Sequence, residues 1–523
     1  MTQWLLSVLA LCVSLAHADQ SQQPAKRVAI IGAGAAGSST AYSLRNSVNE
    51  TTPLEITVFE RAHYVGGRST TVNVFDNPSY PVELGASIFV DVNYNLVNAT
   101  RDLGLSIESA SQQRPKESPD SIGIWDGEQF VFVLQDTYSW WNAAKLIWRY
   151  GWAPIRTQSL MKRTVQSFLR LYDAPLFPFP SLSAAAEAVG LLDATTSPGQ
   201  TFLSNNSVAE DFARDIIQAS TRVNYGQNLP LIHGLEAMVC MATDGAMAVA
   251  GGNWQIFDRM LRASGAEVYL NHTVTAIRRS ADDDGSWIVV VDTSVGRASY
   301  VFDEVVIAGP LQYSGIQIEP APAHPPDEIP FVTLHVTLFA SPHRLSPQYF
   351  HTSEPVPETV LTTLPRGTDL GSSEKGVGPA GFWSISTLRT VDVATEDGRV
   401  EQQYVYKIFT PERVTAKFVR DILALNSTTT TEDDATIGDL PAQDISWSHE
   451  KVWHPYPFLY PRVTFEEPVL APGLWYTGGI ESFISTMETS ALMGKNVAAL
   501  MAQSWLGQDE VNLGDDPVDR TEL

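Results

Sequence analysis

The chain has 523 residues, 44% hydrophobic and 18% charged, which fits a folded globular protein large enough to bury a core without disulfides or metals. Its 59 acidic and 34 basic residues leave a formal net charge of -25, a field that repels phosphate backbones and argues against nucleic-acid binding. Two cysteines, Cys12 and Cys240, exclude a disulfide scaffold and a multi-cysteine metal site.

From the N-terminus, Leu5 to Leu15 is apolar and Ala16-His17-Ala18 is a small-x-small cleavage site. Residues 1–18 therefore read as a signal peptide, although no Lys or Arg precedes the apolar run. The run is too short to span a bilayer well, and no later segment approaches about 18 uninterrupted apolar residues. The expectation is a soluble mature chain starting at Asp19 in the secretory pathway: secreted, vacuolar or lysosomal. Cleavage removes Cys12 and leaves one thiol. Asn49, Asn98, Asn205, Asn271 and Asn426 stand in Asn-x-Ser/Thr sequons.

Residues 27–60 open as a βαβ unit. Arg27 to Ile31 is a short apolar run suited to a buried parallel strand. Gly32-x-Gly34-x-x-Gly37 follows, then a helical pattern through Leu44. Gly32 permits the tight turn, Gly34 lets the backbone approach a pyrophosphate, and Gly37 lets the helix pack close to the strand. Free N–H groups of Ala35 and Ala36 at the helix start can face the phosphates. Glu60 ends the second strand, where a carboxylate can accept hydrogen bonds from an adenosine ribose. Glu60-Arg61 leads to Val65-Gly66-Gly67-Arg68, whose glycines bring backbone N–H groups to the other side of a pyrophosphate while Arg68 adds a cation. A plain NAD dehydrogenase needs no such second turn, so the motif points to FAD.

Residues 96–235 read as helical and rich in aromatics. From 251 to 310 the pattern is α/β again: Gly251-Gly252-Asn253, a helix bearing Trp254, Phe257, Met260 and Leu261, then strands at 268–270, 274–277, 287–292 and 300–307. Residues 311–465 carry strand signals such as Phe331 to Phe339, with a polar loop from Thr428 to Asp434. Residues 474–506 run strand, glycine turn, long helix. Ser485 and Glu488 have capping-box spacing, so the helix is expected to start there, its N-terminus turned toward the cofactor.

These segments give an α/β fold. A Rossmann-type FAD-binding domain is assembled from 27–95, 236–310 and 466–506. A mixed α+β substrate domain comes from 96–235 and 311–465. Residues 507–523 form an acidic tail.

Glu60-Arg61 with Gly66-Gly67-Arg68 resembles the large FAD family that includes amine oxidases. Glu83-Leu84-Gly85-Ala86-Ser87 resembles that family's segment along the flavin ribityl chain. A closer resemblance is to the prenylcysteine oxidase, or prenylcysteine lyase, family. It rests on Glu83 to Phe89 with Asn93 and Leu96, Arg222-Val223-Asn224-Tyr225-Gly226-Gln227, Gly251-Gly252-Asn253, Trp453 to Pro457, and Ile480-Glu481 through Ser485 to Ala491. The likeness spans most of 27–505 and is thinnest at 110–200 and 340–440. Cofactor residues are expected at Gly32, Gly34, Ala35, Ala36, Gly37, Glu60, Arg61, Gly66, Gly67, Arg68, Gly85, Ala86, Ser87, Val274, Gly478, Gly479 and Met487.

The resemblance implies oxidation of a prenylated cysteine thioether to cysteine, a prenyl aldehyde and hydrogen peroxide, with dioxygen as the final acceptor and a lipophilic small molecule as substrate. Trp125, Phe130, Phe132, Tyr138, Trp140, Trp141, Trp148, Tyr150, Trp152, Phe168, Tyr172, Phe177 and Phe179 are material for an apolar channel, for a membrane-surface contact, or for an ordinary core. His233, His335, His449 and His454 show no metal-ligand spacing, and the absence of G-x-S-x-G disfavours an α/β-hydrolase. No acid or base is singled out. Two other readings stay open: an FAD oxidase of another lipophilic or prenylated metabolite, and a flavin-free binding protein that keeps the fold.

Overall fold

A computed structural model describes residues 25–48, 52–109, 121–135, 139–281, 285–368, 371–394, 398–425 and 435–506. The leader, the acidic tail, Asn49, Tyr138, Asn426 and the 428–434 loop lie outside the described residues.

The first layer is a six-stranded sheet. Strand β1 (Lys26–Ile31) pairs in parallel with β2 (Leu54–Glu60) on one side and β13 (Glu304–Ile307) on the other. Strands β9 (Glu267–Leu270), β21 (Leu474–Tyr476) and the antiparallel β20 (Val469–Ala471) complete the order β20-β21-β13-β1-β2-β9. Val28, Ala29 and Ile30 are fully buried, as befits a central parallel strand covered on both faces. The chain leaves β1 toward β2 but reaches β13 on the opposite flank. The crevice at the carboxyl ends of these strands is therefore a topological switch point.

One face carries helices α1 (Ala35–Ser47) and the C-terminal helix, which crosses α1 so closely that a Cβ on Gly494 would collide with the Ala36 carbonyl. The other face carries a second sheet, in the order β12-β11-β10-β14, formed by β10 (Thr273–Arg279), β11 (Trp287–Thr293), β12 (Gly296–Phe302) and β14 (Gln317–Glu319). Trp287, Val289 and Val291 pack there against Ala29, Phe59 and Val305. The run 300–307, expected as one strand, breaks at Asp303. Its halves, β12 and β13, belong to different sheets. Strand β14 belongs to this second sheet, and helix α2 (Tyr94–Asp102) packs against the C-terminal helix on the first face, so the layer extends past the expected boundaries at 95 and 310.

The second body is a seven-stranded sheet, in the order β19-β15-β18-β17-β16-β6-β7, backed by helices. Its strands are β6 (Ser121–Trp125), β7 (Phe130–Gln135), β15 (Leu334–Ser341), β16 (Thr359–Thr362), β17 (Ser384–Ala394), β18 (Val400–Thr410) and β19 (Trp447–Trp453). Strands β6 and β7 correct the helical reading of 96–235: β-branched and aromatic residues there fit a pleated surface, and tertiary pairing with β16 fixes them. The helices include α3 (Ser139–Tyr150), α4 (Ala153–Leu169), α5 (Gln218–Tyr225) and α6 (Gly234–Val239), around a core of Leu160, Phe168, Phe179, Leu203, Ile217 and Leu235. Helix α7 (Trp254–Ser264) returns to the first layer, burying Ile256, Phe257, Met260 and Leu261, and α8 (Met487–Leu506) is the C-terminal helix. No described helix is long and apolar enough to cross a membrane.

Candidate active site

Two glycine turns meet at the switch point. Gly32 has φ of +112° and its N–H bonds the Phe59 carbonyl at 2.8 Å, which turns the chain out of β1. Gly67, at φ +59°, lies across from Gly34, so close that a Cβ on Gly67 would stand 3.3 Å from the Gly34 Cα. The Gly66 N–H bonds the Ala33 carbonyl at 2.9 Å and locks the turns together. The result is a cradle walled by backbone, with the N-terminus of α1 in it. Among the described residues no side chain caps that terminus, and no acid lies in its first turn. Such a cradle suits a pyrophosphate.

Glu60 stands at the end of β2 beside the cradle. One of its oxygens accepts from the Ala33 N–H at 2.8 Å and the other from the Ala62 N–H at 2.7 Å. The carboxylate is thereby held rigid with lone pairs to spare for ribose hydroxyls. Val274, next to a bulge in β10, lies on the same wall.

From the cradle a continuous cleft of about 1290 Å³ runs to the face of the seven-stranded sheet. Single-ligand sites hold roughly 300–1,000 Å³, so this one has room for a dinucleotide and a second molecule. Among the described residues, four buried polar atoms on its walls have no hydrogen-bond partner: Ser69 Oγ, Glu83 Oε2, Trp453 Nε1 and Thr477 Oγ1. Orphans of this kind are costly unless a ligand satisfies them. Cradle, carboxylate and orphaned groups together fit FAD.

Past the cradle, Gly85 to Ser87 lie under Trp453, whose indole leaves no room for a side chain at Gly85. Lys407 reaches the same place from β18, with Nζ donating to the Glu83 carbonyl and to Ser87 Oγ, both at 3.1 Å. Burial pushes Lys407 down to about 8 and Glu83 up to about 7, while each charge favours the other. A carboxyl and an amine that both titrate near neutrality can exchange protons with a bound molecule. Farther out, Tyr225 and Tyr456 meet edge to face at 5.1 Å, and the Tyr225 hydroxyl donates to the Ser485 carbonyl at 3.1 Å. Ile88, Val90, Val223, Val239 and Leu388 make this end apolar. A bulge between Thr387 and Arg389 in β17 turns Arg389 into the wall, half-buried and without an ion pair among the described residues.

Most of the expected cofactor residues line this one cleft: Gly32, Gly34, Ala35, Ala36, Glu60, Arg61, Gly66, Gly67, Arg68, Gly85, Ala86, Ser87, Val274 and Met487. Three do not. Gly37 serves packing, because a Cβ there would strike the Gly32 carbonyl. Gly478 faces the Tyr476 hydroxyl and Gly479 the Glu466 carbonyl, away from the cleft.

Two roles also change. Arg68 brings no free cation to a pyrophosphate, because its guanidinium grips Glu481 bidentately at 2.7 Å and 2.7 Å and also donates to the Pro455 carbonyl. The helix cap is one residue later than expected: Thr486 and Thr489 exchange side-chain and backbone hydrogen bonds at 3.1 Å. Glu488 instead reaches α2, accepting from the N–H groups of Asn95 at 2.9 Å and Leu96 at 3.0 Å.

None of the described aromatics between 125 and 179 lines the cleft. Trp125, Phe132, Tyr150, Phe168, Phe177 and Phe179 are core, and Trp148 and Trp152 are exposed. Lys407 and Arg389 went unread in the sequence. A lysine inside the apolar run Tyr404 to Phe409 was the available signal for the first; a bulge leaves none for the second.

The prenylcysteine lyase family model matches residues 133–515, and a model described as an NAD(P)-binding Rossmann-like domain matches 30–102. The farnesylcysteine lyase of Arabidopsis thaliana is 28% identical over 507 residues, covering 93% of this chain and 90% of that one. Prenylcysteine oxidase 1 of Homo sapiens is 28% identical over 528 residues, covering 97% and 94%. Among solved structures, the cyclohexylamine oxidase of Brevibacterium oxydans superposes with a TM-score of 0.54 at 18% identity, covering 92% of this chain and all of that one. A putrescine oxidase variant gives 0.54 at 15% identity, covering 91% and 99%. These last two likenesses concern the fold.

Proposed function

Because the chain belongs to the prenylcysteine lyase family, we propose that it oxidises the thioether of a prenylated cysteine and releases cysteine and a prenyl aldehyde. It is an FAD-dependent oxidoreductase. The observation that carries the substrate reading is the single cleft that joins the glycine cradle to an apolar chamber with an arginine in its wall.

FAD, when bound, supplies a hydride acceptor and hands the electrons on to dioxygen, giving hydrogen peroxide. The protein does the rest. Tyr225, Tyr456 and the aliphatic wall take the isoprenoid and keep bulk water from the reacting carbon. Arg389 pairs with the carboxylate of the cysteine end and fixes which carbon is presented. Loss of hydride leaves the carbon beside sulfur cationic. Water adds to it and gives up one proton, which the Glu83 carboxylate accepts with Lys407 balancing the charge. The adduct then breaks its carbon–sulfur bond. The sulfur leaves as a thiol, taking a proton, and the carbon becomes the aldehyde.

Single-turnover reduction with farnesylcysteine, geranylcysteine and a simple amine tests this reading. Both thioethers should bleach the visible absorbance, the longer chain binding tighter because each buried methylene contributes about 0.8 kcal/mol. Reduction by the amine alone would overturn it, and reduction by none would assign the cleft to another lipophilic metabolite.

The leader motif supports a second proposal, that the chain enters the secretory pathway, loses residues 1–18 and is glycosylated. Asn205 and Asn271 are exposed, and Asn98 is half-buried. N-terminal sequencing that found Met1 on protein from a eukaryotic host would refute it.

A further inference from the structure

Helices α3 and α4 carry apolar side chains that the core does not use. Trp148 is 90% exposed, Trp152 67%, and Ile147 and Ile155 both 43%. They cluster about the turn at Gly151 that joins the two helices. The opposite side of α4 is accounted for: Ala153, Leu160, Met161, Val165 and Phe168 are buried in the helical core. An indole left almost wholly in water loses the transfer free energy that a buried one gains, and grouped exposed apolar residues mark contact surfaces.

The charge of this stretch is opposite to that of the chain. Between Asp136 and Asp173 there is no acidic residue, whereas Lys145, Arg149, Arg156, Lys162, Arg163 and Arg170 all fall there. The chain as a whole has 59 acids and a net charge of -25. Arg149 pairs with Asp215 at 3.6 Å and Arg156 donates to the Ser207 carbonyl at 2.9 Å, yet both side chains remain exposed. Tryptophans flanked by lysines and arginines suit the interface of an anionic bilayer. The indole sits at the headgroup level, and each cation near the surface is attracted by the negative potential. The net charge of -25 repels the same bilayer overall, which favours an approach led by this basic corner.

We propose that the α3–α4 corner, with Trp148 and Trp152 at its tip, docks the protein onto an anionic lipid surface. The surface stands apart from the cleft and does not depend on which substrate the cleft takes.

The test is co-sedimentation of the holoenzyme with vesicles of phosphatidylcholine containing about one-third phosphatidylserine, at low salt and at physiological salt. The wild type should sediment with them, with a blue shift of its tryptophan emission, and binding should weaken as salt rises. The Trp148→Ser/Trp152→Ser double variant should bind at least roughly tenfold more weakly, with its flavin spectrum and its turnover of a water-soluble substrate unchanged. Lys145→Glu/Lys162→Glu should lose the preference for phosphatidylserine. All three proteins share one N-terminus, so any difference reads the corner alone. Wild type left in the supernatant overturns the proposal, and so does equal binding by the tryptophan variant. A holoenzyme that self-associates through the two tryptophans, judged by sedimentation velocity, and ignores vesicles also overturns it.

Discussion

Arg68 and Glu481 form a bidentate ion pair at 2.7 Å that ties the second glycine turn to the segment before the C-terminal helix. The two residues are more than four hundred positions apart in sequence, and Glu481 is buried. Glu481→Gln leaves the guanidinium undercompensated and should cost about 2 kcal/mol, between the surface and fully buried cases. Loss of FAD absorbance at a lower denaturant concentration is the readout. Arg68→Met with Glu481→Leu should recover most of the loss, because neither charge then stays unpaired. A double variant as weak as Glu481→Gln would show that the pair has a role beyond its charge.

Glu60→Gln should weaken FAD binding ten- to a hundred-fold. It gives up charged hydrogen bonds worth about 1.5–3 kcal/mol and turns an amide N–H toward a backbone donor. Titration of the apoprotein with FAD measures this. An unchanged affinity would place the ribose elsewhere.

The Glu83–Lys407 pair sets a pH profile. Glu83, held up at about 7 by burial, is protonated below that value and cannot accept the proton of water. Turnover should therefore rise as pH rises through about 7. Glu83→Gln should lower it roughly a hundred-fold and abolish that limb. Lys407→Met removes a charge that favours the carboxylate, so the limb should move to higher pH. A profile identical in all three proteins would exclude the pair from the chemistry.

Arg389→Gln should raise KM for farnesylcysteine about ten- to a hundred-fold with little change in kcat, since it removes a charged contact to a non-reacting group. A farnesyl thioether lacking the carboxylate should be indifferent to the substitution. Equal sensitivity of the two compounds would remove Arg389 from substrate recognition.

Glu236 makes stability pH-dependent. Burial raises its carboxyl to about 8 from 4.5, so the folded state holds a proton there that the unfolded state releases. The sign follows: its contribution is complete below about pH 4.5 and is lost as pH rises toward 8. Glu236→Gln mimics the protonated form and should gain on the wild type as pH rises across that window. Thermal unfolding at a series of pH values shows it, and parallel curves would contradict it.

The cradle was legible because its chemistry is local. Gly32 to Glu60 and Gly66-Gly67 are short runs whose backbone demands appear directly as residue type. Arg68 was found but misassigned, because its partner Glu481 comes from the far end of the chain. Glu488 shows the same limit: its spacing from Ser485 suits a capping box, but the carboxylate goes to Asn95 and Leu96 of another helix. The chamber was the least legible part. Arg389 faces it through a bulge, and the aromatic stretch 125–179 went to a core and to an exposed corner. Aromatic density reports buried area, not which void it borders.

The sheet that carries the cradle takes β1 from the start of the chain and β21 from near its end, and α8 closes over α1 where Gly494 meets Ala36. On the ribosome, β13 must wait with an open edge while the intervening residues emerge and the second body folds. The sheet under the cradle is therefore complete only when nearly the whole chain has been made. A chain truncated before Met487 lacks the helix that closes over α1 and should bind FAD more weakly than the full chain, whatever the state of its glycine turns, as titration of the two apoproteins with FAD would measure.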